Sequence, residues 1–244
     1  MTYHRHTDFK FPDNEKAKIW RYIDLNKLIS LFESTALFFA RGDIFDDPYE
    51  GQFADGDIEQ QTHRYAHVDL EQHAYSCRRE VGINCWHVNE HESDAMWKLY
   101  LTNHEGVALQ STVKRLISAF AEDETQDVCI GVVEYIDHDS AEIGMGNEFM
   151  PLFRKRKAFE HERELRAMVI RRTVDDRGNA RLVRGPIPGK GMLVPVDVQR
   201  LIQEIVVAPT APHSFVDLVS SVTKQCDFDA ISVRHSTLYR PQQY

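Results

Sequence analysis

The stretch Phe159-Glu160-His161-Glu162-Arg163-Glu164-Leu165-Arg166 leads into the apolar run Ala167-Met168-Val169-Ile170 and decides the fold. The apolar run predicts a strand whose first pleats carry Glu162 and Glu164. Because alternate residues of a strand share a face, Glu162, Glu164 and Arg166 are expected to point to one side. Two carboxylates and a guanidinium at a strand entrance suit a pocket that stabilises a developing positive charge.

A solvated helix is the alternative for the same stretch. In a helix, Glu162 and Arg166 would form an i,i+4 ion pair on the surface. The residues that follow favour the strand, because the turn-forming Asp175-Asp176-Arg177-Gly178-Asn179 separates Met168–Arg172 from a second segment, Ala180–Val183. This pattern predicts a β-hairpin.

The rest of the chain predicts further strands and helices around this element. Strands are expected at Ile19–Ile23, Ala36–Ala40, Gly82–Val88, Gly106–Thr112 and Val128–Ile136. Helices are expected after the cap residues Asp24 and Ser93, and over Val113–Phe120. The C-terminal part predicts a β-α-β unit formed by Glu204–Ala208, Ser214–Gln225 and Ala230–Arg234.

These elements predict the fold class. We expect an α+β protein with a single domain over residues 19–244, preceded by an N-terminal arm over residues 1–18. Its core would be a mixed or mostly antiparallel sheet with peripheral helices. With 244 residues and 42% hydrophobic content, the chain can bury a substantial core.

Composition predicts a cytoplasmic protein without a membrane segment. No apolar run approaches the ~20 residues that cross a bilayer, and the polar first ten residues contain no secretory apolar region. The four cysteines have no paired spacing, which is typical of reduced thiols rather than of a disulfide framework: Cys77, Cys85, Cys129 and Cys226. The sequence predicts no particular oligomeric state.

Charge is distributed unevenly along the chain. The net charge of −9 argues against a protein that coats nucleic acid with its whole surface. Residues 151–190, however, contain twelve Lys and Arg against five Asp and Glu. This basic block is expected to attract a phosphate-bearing ligand. A solvated basic face is the alternative.

A polar segment over residues 55–75 predicts a helix with Glu59, His63 and His67 on one face. His63 and His67 have the i,i+4 spacing of metal ligands, but His73 falls off that face and no H-E-x-x-H pattern occurs. We therefore favour a solvated helix and predict no metal site there.

The loop Gly42–Gly51 carries four carboxylates within eight positions. It either orders the wall of an active site or ends strands through the turn-forming tendency of aspartate. In a metal-dependent nuclease, Asp46, Asp47 and Glu50 would join the later Glu pair around Mg²⁺, while the basic block holds a phosphodiester. This function stays open as an alternative.

Several short motifs occur in order between residues 19 and 238. They are Trp20-Arg21-Tyr22, Phe45-Asp46-Asp47-Pro48-x-Glu50, Cys85-Trp86, Glu92-Ser93-x-x-Met96-Trp97-x-x-Tyr100, Gly106-Val107 and Phe159-x-x-Glu162-x-Glu164-x-Arg166. Together they resemble a bacterial domain-of-unknown-function family, DUF 2971. This resemblance implies no activity, because the family has no assigned function.

An Arg on the first core strand, a Ser-Thr pair on a middle strand and an E-x-E at the start of a later strand also occur in that order. This pattern resembles the ADP-ribosyltransferase superfold, whose members use NAD. The resemblance implies that Arg21 holds the NAD phosphates or ribose. It also implies that Ser111 and Thr112 belong to the Ser-Thr motif of that fold, although Val113 stands where a third residue, a serine, is expected.

The same resemblance implies the remaining roles. Tyr100 or Trp97 would stack on nicotinamide, and Arg166 would contribute to NAD binding. Glu164 would be the catalytic acid that stabilises the ribosyl cation, because cleavage of the nicotinamide–ribose bond passes through an oxocarbenium-like state. Glu162 would hold or deprotonate the acceptor of the transferred group. The partners that the resemblance implies are a nucleotide-type small molecule, NAD, and a nucleic acid or protein acceptor. The predicted function is thus an ADP-ribosyltransferase-like enzyme, such as a bacterial toxin or phage-defence effector.

A non-catalytic module is the remaining alternative. It would bind a nucleotide or a partner protein. In that case Arg21, Glu162, Glu164 and Arg166 would form a buried ion-pair network that sets the fold.

Overall fold

The computed structural model describes residues 2–3, 8–54, 56–57, 69–101, 105–120, 126–139, 147–174 and 180–239. Strands in this part of the chain are β1 (Thr2–Tyr3), β2 (Lys18–Ile23), β3 (Ala36–Arg41), β4 (Val81–Val88), β5 (Val107–Thr112), β6 (Gln126–Val132), β7 (Glu134–Ile136), β8 (Arg154–Arg156), β9 (Glu164–Val174), β10 (Ala180–Leu182), β11 (Gly191–Pro195), β12 (Glu204–Val207) and β13 (Ser232–His235). The predicted turn at residues 175–179 lies outside the described residues, as do Glu59, His63 and His67.

The same part of the chain contains α-helices and short 3-10 helices. The α-helices are α1 (Leu25–Ser34), α2 (Leu70–Glu80), α3 (Asp94–Tyr100), α4 (Val113–Ala119), α5 (Val198–Leu201) and α6 (His213–Gln225). The 3-10 helices are Gly42–Ile44, Met150–Phe153 and Lys157–Glu162. None of the helices in the described residues has the length and apolar composition that a bilayer crossing requires.

The chain divides into two compact units, and each is assembled from three separate segments. Unit 1 consists of Met1–Pro12, Phe38–Cys85 and Glu122–Leu193. Unit 2 consists of Asp13–Leu37, Trp86–Ala121 and Val194–Tyr244. Three of the five boundaries between segments fall inside strands, namely β3, β4 and β11.

The sheet of unit 1 is built around β9. This strand pairs antiparallel with β6, from Gln126 opposite Arg171 to Val132 opposite Leu165. It also pairs antiparallel with β10, which confirms the predicted pairing on either side of the hairpin turn. β1 adds to β6 in parallel, and β3 adds to β4 antiparallel. β7 and β8 form a separate two-stranded parallel sheet.

Two predictions for unit 1 need correction. The strand expected over Val128–Ile136 is interrupted at Val133, because β6 pairs with β9 while β7 leaves to pair with β8. Glu162 does not lie on the strand with Glu164. It ends the 3-10 helix Lys157–Glu162, and Arg163, whose φ is 42°, turns the chain into β9 through a left-handed conformation.

The core of unit 1 includes a residue from the predicted N-terminal arm. The Phe9 side chain is 3% exposed, and its ring stacks on that of Phe153 with centroids 4.1 Å apart. Lys10 also contributes, because its carbonyl accepts a hydrogen bond from the Val132 N–H. The rest of this cluster comes from α2, β4, β6, β9 and the 3-10 helix Met150–Phe153: Cys77, Val81, Ile83, Cys129, Phe149, Met150, Leu152 and Met168.

Unit 2 has the strand order β4–β2–β5–β12–β13. β2 pairs antiparallel with β5, and β5 pairs antiparallel with β12. β12 and β13 are parallel and joined through α6, so the predicted β-α-β unit is confirmed. The end of β4 pairs with β2, where Trp20 lies opposite His87.

Side-chain caps start three helices of unit 2, α1, α3 and α4, where the sequence predicts them. The Asp24 carboxylate accepts from the N–H of Lys27 at the start of α1. Ser93 and Thr112 cap α3 and α4 in the same way, through Met96 and Arg115. The fold class is therefore confirmed at the level of mixed helices and strands with mostly antiparallel pairing.

Substitution of Phe9 by Ala tests whether the N-terminal residues belong to the core of unit 1. We expect a loss of about 3–5 kcal/mol in the free energy of unfolding, because a buried aromatic ring leaves a cavity. Phe38→Ala is the matched control, since Phe38 is 45% exposed in the same unit. Denaturant unfolding followed by circular dichroism measures both variants, and equal losses would contradict the assignment.

Candidate functional site

A tight turn in unit 1 places two acids in the interior. Pro48 occupies the second position of the turn Asp47-Pro48-Tyr49-Glu50, which the Glu50 N–H closes on the Asp47 carbonyl at 3.0 Å. The Asp47 carboxylate also accepts from the Tyr49 N–H at 3.1 Å. As a result the Asp47 and Glu50 side chains are both buried.

Gly51 lets the chain leave this turn. Its φ is +72°, and a Cβ at this position would lie 2.7 Å from Cδ of Arg78. Glycine meets both requirements, because it has no Cβ and tolerates positive φ.

The strand β8 brings a lysine to the same place. Its residues alternate between partly exposed and buried, so Lys155 faces the interior while Arg154 and Arg156 face outward. Arg154 pairs with Glu134 of β7. Arg156 pairs with Asp47 at 2.8 Å and lies over the Tyr49 ring, 4.4 Å from its centroid.

Five charged side chains meet inside unit 1 and form what we call the buried charge cluster: Glu50, Lys155, Glu162, Glu164 and Arg166. The Lys155 ammonium donates to Glu162 at 2.7 Å and to Glu164 at 2.8 Å, and it lies 3.9 Å from Glu50. The two acids of the E-x-E motif therefore share one cation. They converge although only Glu164 lies on the strand.

Arg166 holds the other side of the cluster. Its guanidinium donates from Nε to Glu164 at 2.8 Å, from a terminal nitrogen to Glu50, and from the other terminal nitrogen to the Leu152 carbonyl at 2.6 Å. The side chain is 1% exposed, and its guanidinium lies 5.4 Å from the centroid of the Phe45 ring. Arginine suits this position, because its planar fork satisfies several acceptors at once.

The environment separates the pKa values of the two glutamates. Burial raises the pKa of Glu162 to about 7, and a hydrogen bond to Glu164 adds to that rise. Burial also acts to raise the pKa of Glu164, but the Arg166 guanidinium and the Lys155 ammonium outweigh it and hold that pKa well below its usual range. With Glu162 protonated, the cluster contains two carboxylates and two cations and is neutral.

The remaining ionisations follow from the same contacts. Burial acts to lower the pKa of Lys155 and of Arg166, but Glu164 and Glu50 outweigh it and raise both. Lys155 and Arg166 are therefore charged throughout the physiological pH range.

The Tyr135 hydroxyl accepts from the Glu164 N–H at 2.8 Å, and burial raises the pKa of this phenol.

A cavity of about 420 Å³ in unit 1 borders this region. The Tyr49 ring, which contacts Arg156, forms part of its wall, and His138 lies edge-on to Tyr49 at 5.4 Å. The lining residues are Pro48, Tyr49, Gln52, Phe53, Leu70, Glu71 and His138. The volume lies within the range of about 300–1,000 Å³ that is typical of small-molecule sites.

Several arginines of the basic block bond to acids or carbonyls of unit 1 itself. At these positions the block does not form an open phosphate-binding face. Arg172 pairs with Asp127, and Arg184 pairs with both Glu80 and Glu148. Arg171 donates to the Gly185 carbonyl. Acids from other segments of unit 1 thus compensate much of the local positive charge.

The other predicted NAD-binding residues lie in unit 2. Trp97 is 3% exposed, donates from its indole N–H to Glu92 at 3.0 Å and packs edge-on against Tyr22 at 4.8 Å, so its ring belongs to the core. Tyr100 is 49% exposed and lies parallel to the Tyr22 ring with centroids 6.5 Å apart. Of these two rings, Tyr100 alone presents a large exposed surface.

Ser111 and Arg21 lie on neighbouring strands of unit 2. The Ser111 hydroxyl is fully buried and donates to the Leu201 carbonyl at 2.5 Å, which connects β5 to the end of α5. Arg21 lies on β2 opposite Leu109 and is half-buried. The role of Arg21 in NAD binding, and its place in an ion-pair network with Glu162 and Glu164, stay predictions.

Sequence reasoning missed one member of the cluster, Lys155, and brought Glu50 to the acid pair only in the metal-dependent nuclease alternative. The alternation of β8 was the available signal for Lys155, since the middle residue of a short strand faces away from its neighbours. For Glu50 the signal was the Asp-Pro turn that directs its side chain inward. Neither signal identifies the partner, because the partners lie far away in the chain.

The positions of the acids can also be compared with the metal site that the nuclease alternative requires. Glu50, Glu162 and Glu164 do converge, as that alternative predicts, but they surround the Lys155 ammonium rather than an open space between carboxylates. Asp46 is exposed, and Asp47 pairs with Arg156. Cations of the chain itself therefore balance these acids.

Replacement of Arg166 by Met tests the balance of the cluster. We expect a loss of about 3–5 kcal/mol in the free energy of unfolding, because two buried carboxylates lose their shared partner. Lys157→Met is the control, since Lys157 is an exposed cation near the cluster in sequence. Circular dichroism in denaturant compares the two, and a minor loss for Arg166→Met would show that its charge is dispensable.

Glu162 should make stability depend on pH in a defined window. Its pKa rises from 4.5 in the unfolded chain to about 7 in the folded protein, so its contribution to stability is complete below pH 4.5 and is lost as pH rises through 7. Melting temperatures measured from pH 5 to 8 should therefore fall more steeply for the parent than for Glu162→Gln. Glu160→Gln, an exposed neighbour, should follow the parent. Parallel curves for the parent and Glu162→Gln would refute the raised pKa.

Comparison with known proteins assigns no family to this chain. No protein-family model matches it, and no curated protein matches its sequence. The resemblances to DUF 2971 and to the ADP-ribosyltransferase superfold thus stay predictions.

Proposed function

We propose that the protein is an ADP-ribosyltransferase-like enzyme that binds NAD and cleaves the nicotinamide–ribose bond at the buried charge cluster. The observation that carries the proposal is the pair Glu162 and Glu164, which share one ammonium yet have pKa values driven in opposite directions. Two carboxylates with separated pKa values are typical of acid–base chemistry at a glycosidic bond.

The two acids have different roles in this proposal. Glu162, with a pKa of about 7, takes up and releases a proton at neutral pH and acts on the acceptor hydroxyl or water. Glu164 remains ionised and favours a positive charge at the ribose carbon. Because Lys155 and Arg166 already share that negative charge, its larger effect is to position Lys155 and, through it, Glu162.

The cavity in unit 1 supplies a binding site for the nicotinamide end of NAD. Tyr49 offers an aromatic face, and Arg156 beside it is a cation for a phosphate oxygen. This assignment moves the stacking role from Tyr100 or Trp97 to a ring that contacts a neighbour of Lys155.

The experiment is incubation of the purified protein with NAD carrying separate labels on nicotinamide and adenylate, with and without cell extract. Release of free nicotinamide reports bond cleavage, and adenylate label on protein, nucleic acid or small molecules identifies the acceptor. Glu162→Gln should lower the rate by about 10²–10⁴-fold, as expected for loss of a general acid or base. The exposed Glu160→Gln should retain the parent rate.

Two results would overturn the proposal. One is the absence of nicotinamide release from the folded parent, including in the presence of extract. The other is an equal rate for Glu162→Gln and the parent.

A non-catalytic module is the second candidate, and one observation favours it. Every charge of the cluster finds an opposite charge within the cluster itself, as in a network that only stabilises a fold. This candidate predicts that Glu164→Gln lowers the melting temperature while the parent shows no turnover of NAD.

A further inference from the structure

Three side chains in unit 1 converge away from the buried charge cluster. His73 and Cys77 lie one turn apart on α2, so their side chains share a face of the helix. Glu148 reaches them from the segment that precedes the 3-10 helix Met150–Phe153. An imidazole nitrogen, a thiol and a carboxylate oxygen thus face one point.

The spacing of the three atoms matches a tetrahedral metal site. The distances are 3.6 Å between His73 Nε2 and Cys77 Sγ, 3.7 Å between Cys77 Sγ and Glu148 Oε2, and 3.6 Å between His73 Nε2 and Glu148 Oε2. Zinc bonds of about 2.3 Å to sulfur and about 2.0 Å to nitrogen or oxygen place tetrahedral ligand atoms about 3.3–3.6 Å apart. The three side chains therefore need to move by only a few tenths of an ångström.

Neighbouring contacts orient the carboxylate. Arg184 donates to Oε1 of Glu148 at 2.7 Å and to Glu80 at 3.0 Å, which leaves Oε2 directed at the histidine and the cysteine. The Asn147 side chain accepts from the Phe149 N–H at 2.9 Å and fixes the turn that carries Glu148. Such outer contacts are typical of sites in which ligands are held before the metal binds.

We propose that His73, Cys77 and Glu148 bind a zinc ion, with a water molecule or an exogenous ligand in the fourth position. The ligand set selects the metal. A thiolate with an imidazole favours zinc, whereas calcium and magnesium prefer oxygen ligands alone. The site is independent of the function proposed above, because it shares no residue with the buried charge cluster.

The position of the site suggests how it acts on its surroundings. The Phe53 ring lies parallel to that of His73 with centroids 6.5 Å apart, and Phe53 also lines the cavity. Cys77 belongs to the core cluster of unit 1. A bound zinc ion would therefore tie α2 and the Glu148 segment together beside the cavity wall.

The test uses the full chain, stripped of metal with a chelator and then equilibrated with zinc or with cobalt. We expect one zinc ion per chain to remain bound through gel filtration. The cobalt form should show an absorption band from thiolate-to-cobalt charge transfer. Cys77→Ser should abolish that band, and His73→Gln should reduce zinc retention at least tenfold.

Cys85→Ser is the matched control, because Cys85 is a half-buried thiol of the same unit outside the site. It should retain both zinc and the cobalt band. Two results would overturn the proposal: absence of a thiolate band in the cobalt-loaded parent, which needs no variant to fold, or undiminished zinc binding by folded Cys77→Ser and His73→Gln.

Discussion

The guanidinium of Arg166 is buried in the middle of unit 1, and a buried charge must be matched. An unpaired ion in a protein interior costs several kcal/mol, so the surrounding structure has to bring acceptors to it. Glu164 does so from the same strand, and Glu50 does so from the Asp-Pro turn. The Leu152 carbonyl completes the set. Contacts with the Arg166 side chain thus hold three chain segments together: the start of β9, the Asp-Pro turn and the segment that contains Leu152.

The two glutamates of the E-x-E motif have different surroundings in the buried charge cluster. Glu164 pairs with both Lys155 and Arg166, whereas Glu162 pairs with Lys155 and ends a 3-10 helix that is followed by a left-handed residue. Glu162 is the group whose protonation changes near neutral pH, because burial raises its pKa to about 7. A fixed ion pair beside a titrating acid is compatible with both a catalytic and a structural role, and the two differ in whether a substrate reaches Glu162.

Much of the local structure could be predicted from the sequence, because local signals determine it. Asp24 and Ser93 cap helices where their hydrogen-bonding groups permit, and the apolar run after Glu164 forms the expected strand. The partners of Lys155 could not be predicted, since a run of four basic residues is usually solvated and the partners are set by tertiary contacts. The sequence did not predict that His73 and Cys77 lie on one helix, and the reason is different. The predicted helix stopped at residue 75, while α2 continues to Glu80.

Because each unit is assembled from three separate segments, neither can be completed while much of the chain is still unsynthesised. Thr2 pairs with Asp127, and β5 finds its neighbour β12 only after some ninety further residues have been made. Pairing over such separations is slow, and strand edges remain uncovered in the meantime. A truncated fragment that ends at any single position between the segments would lack part of a sheet.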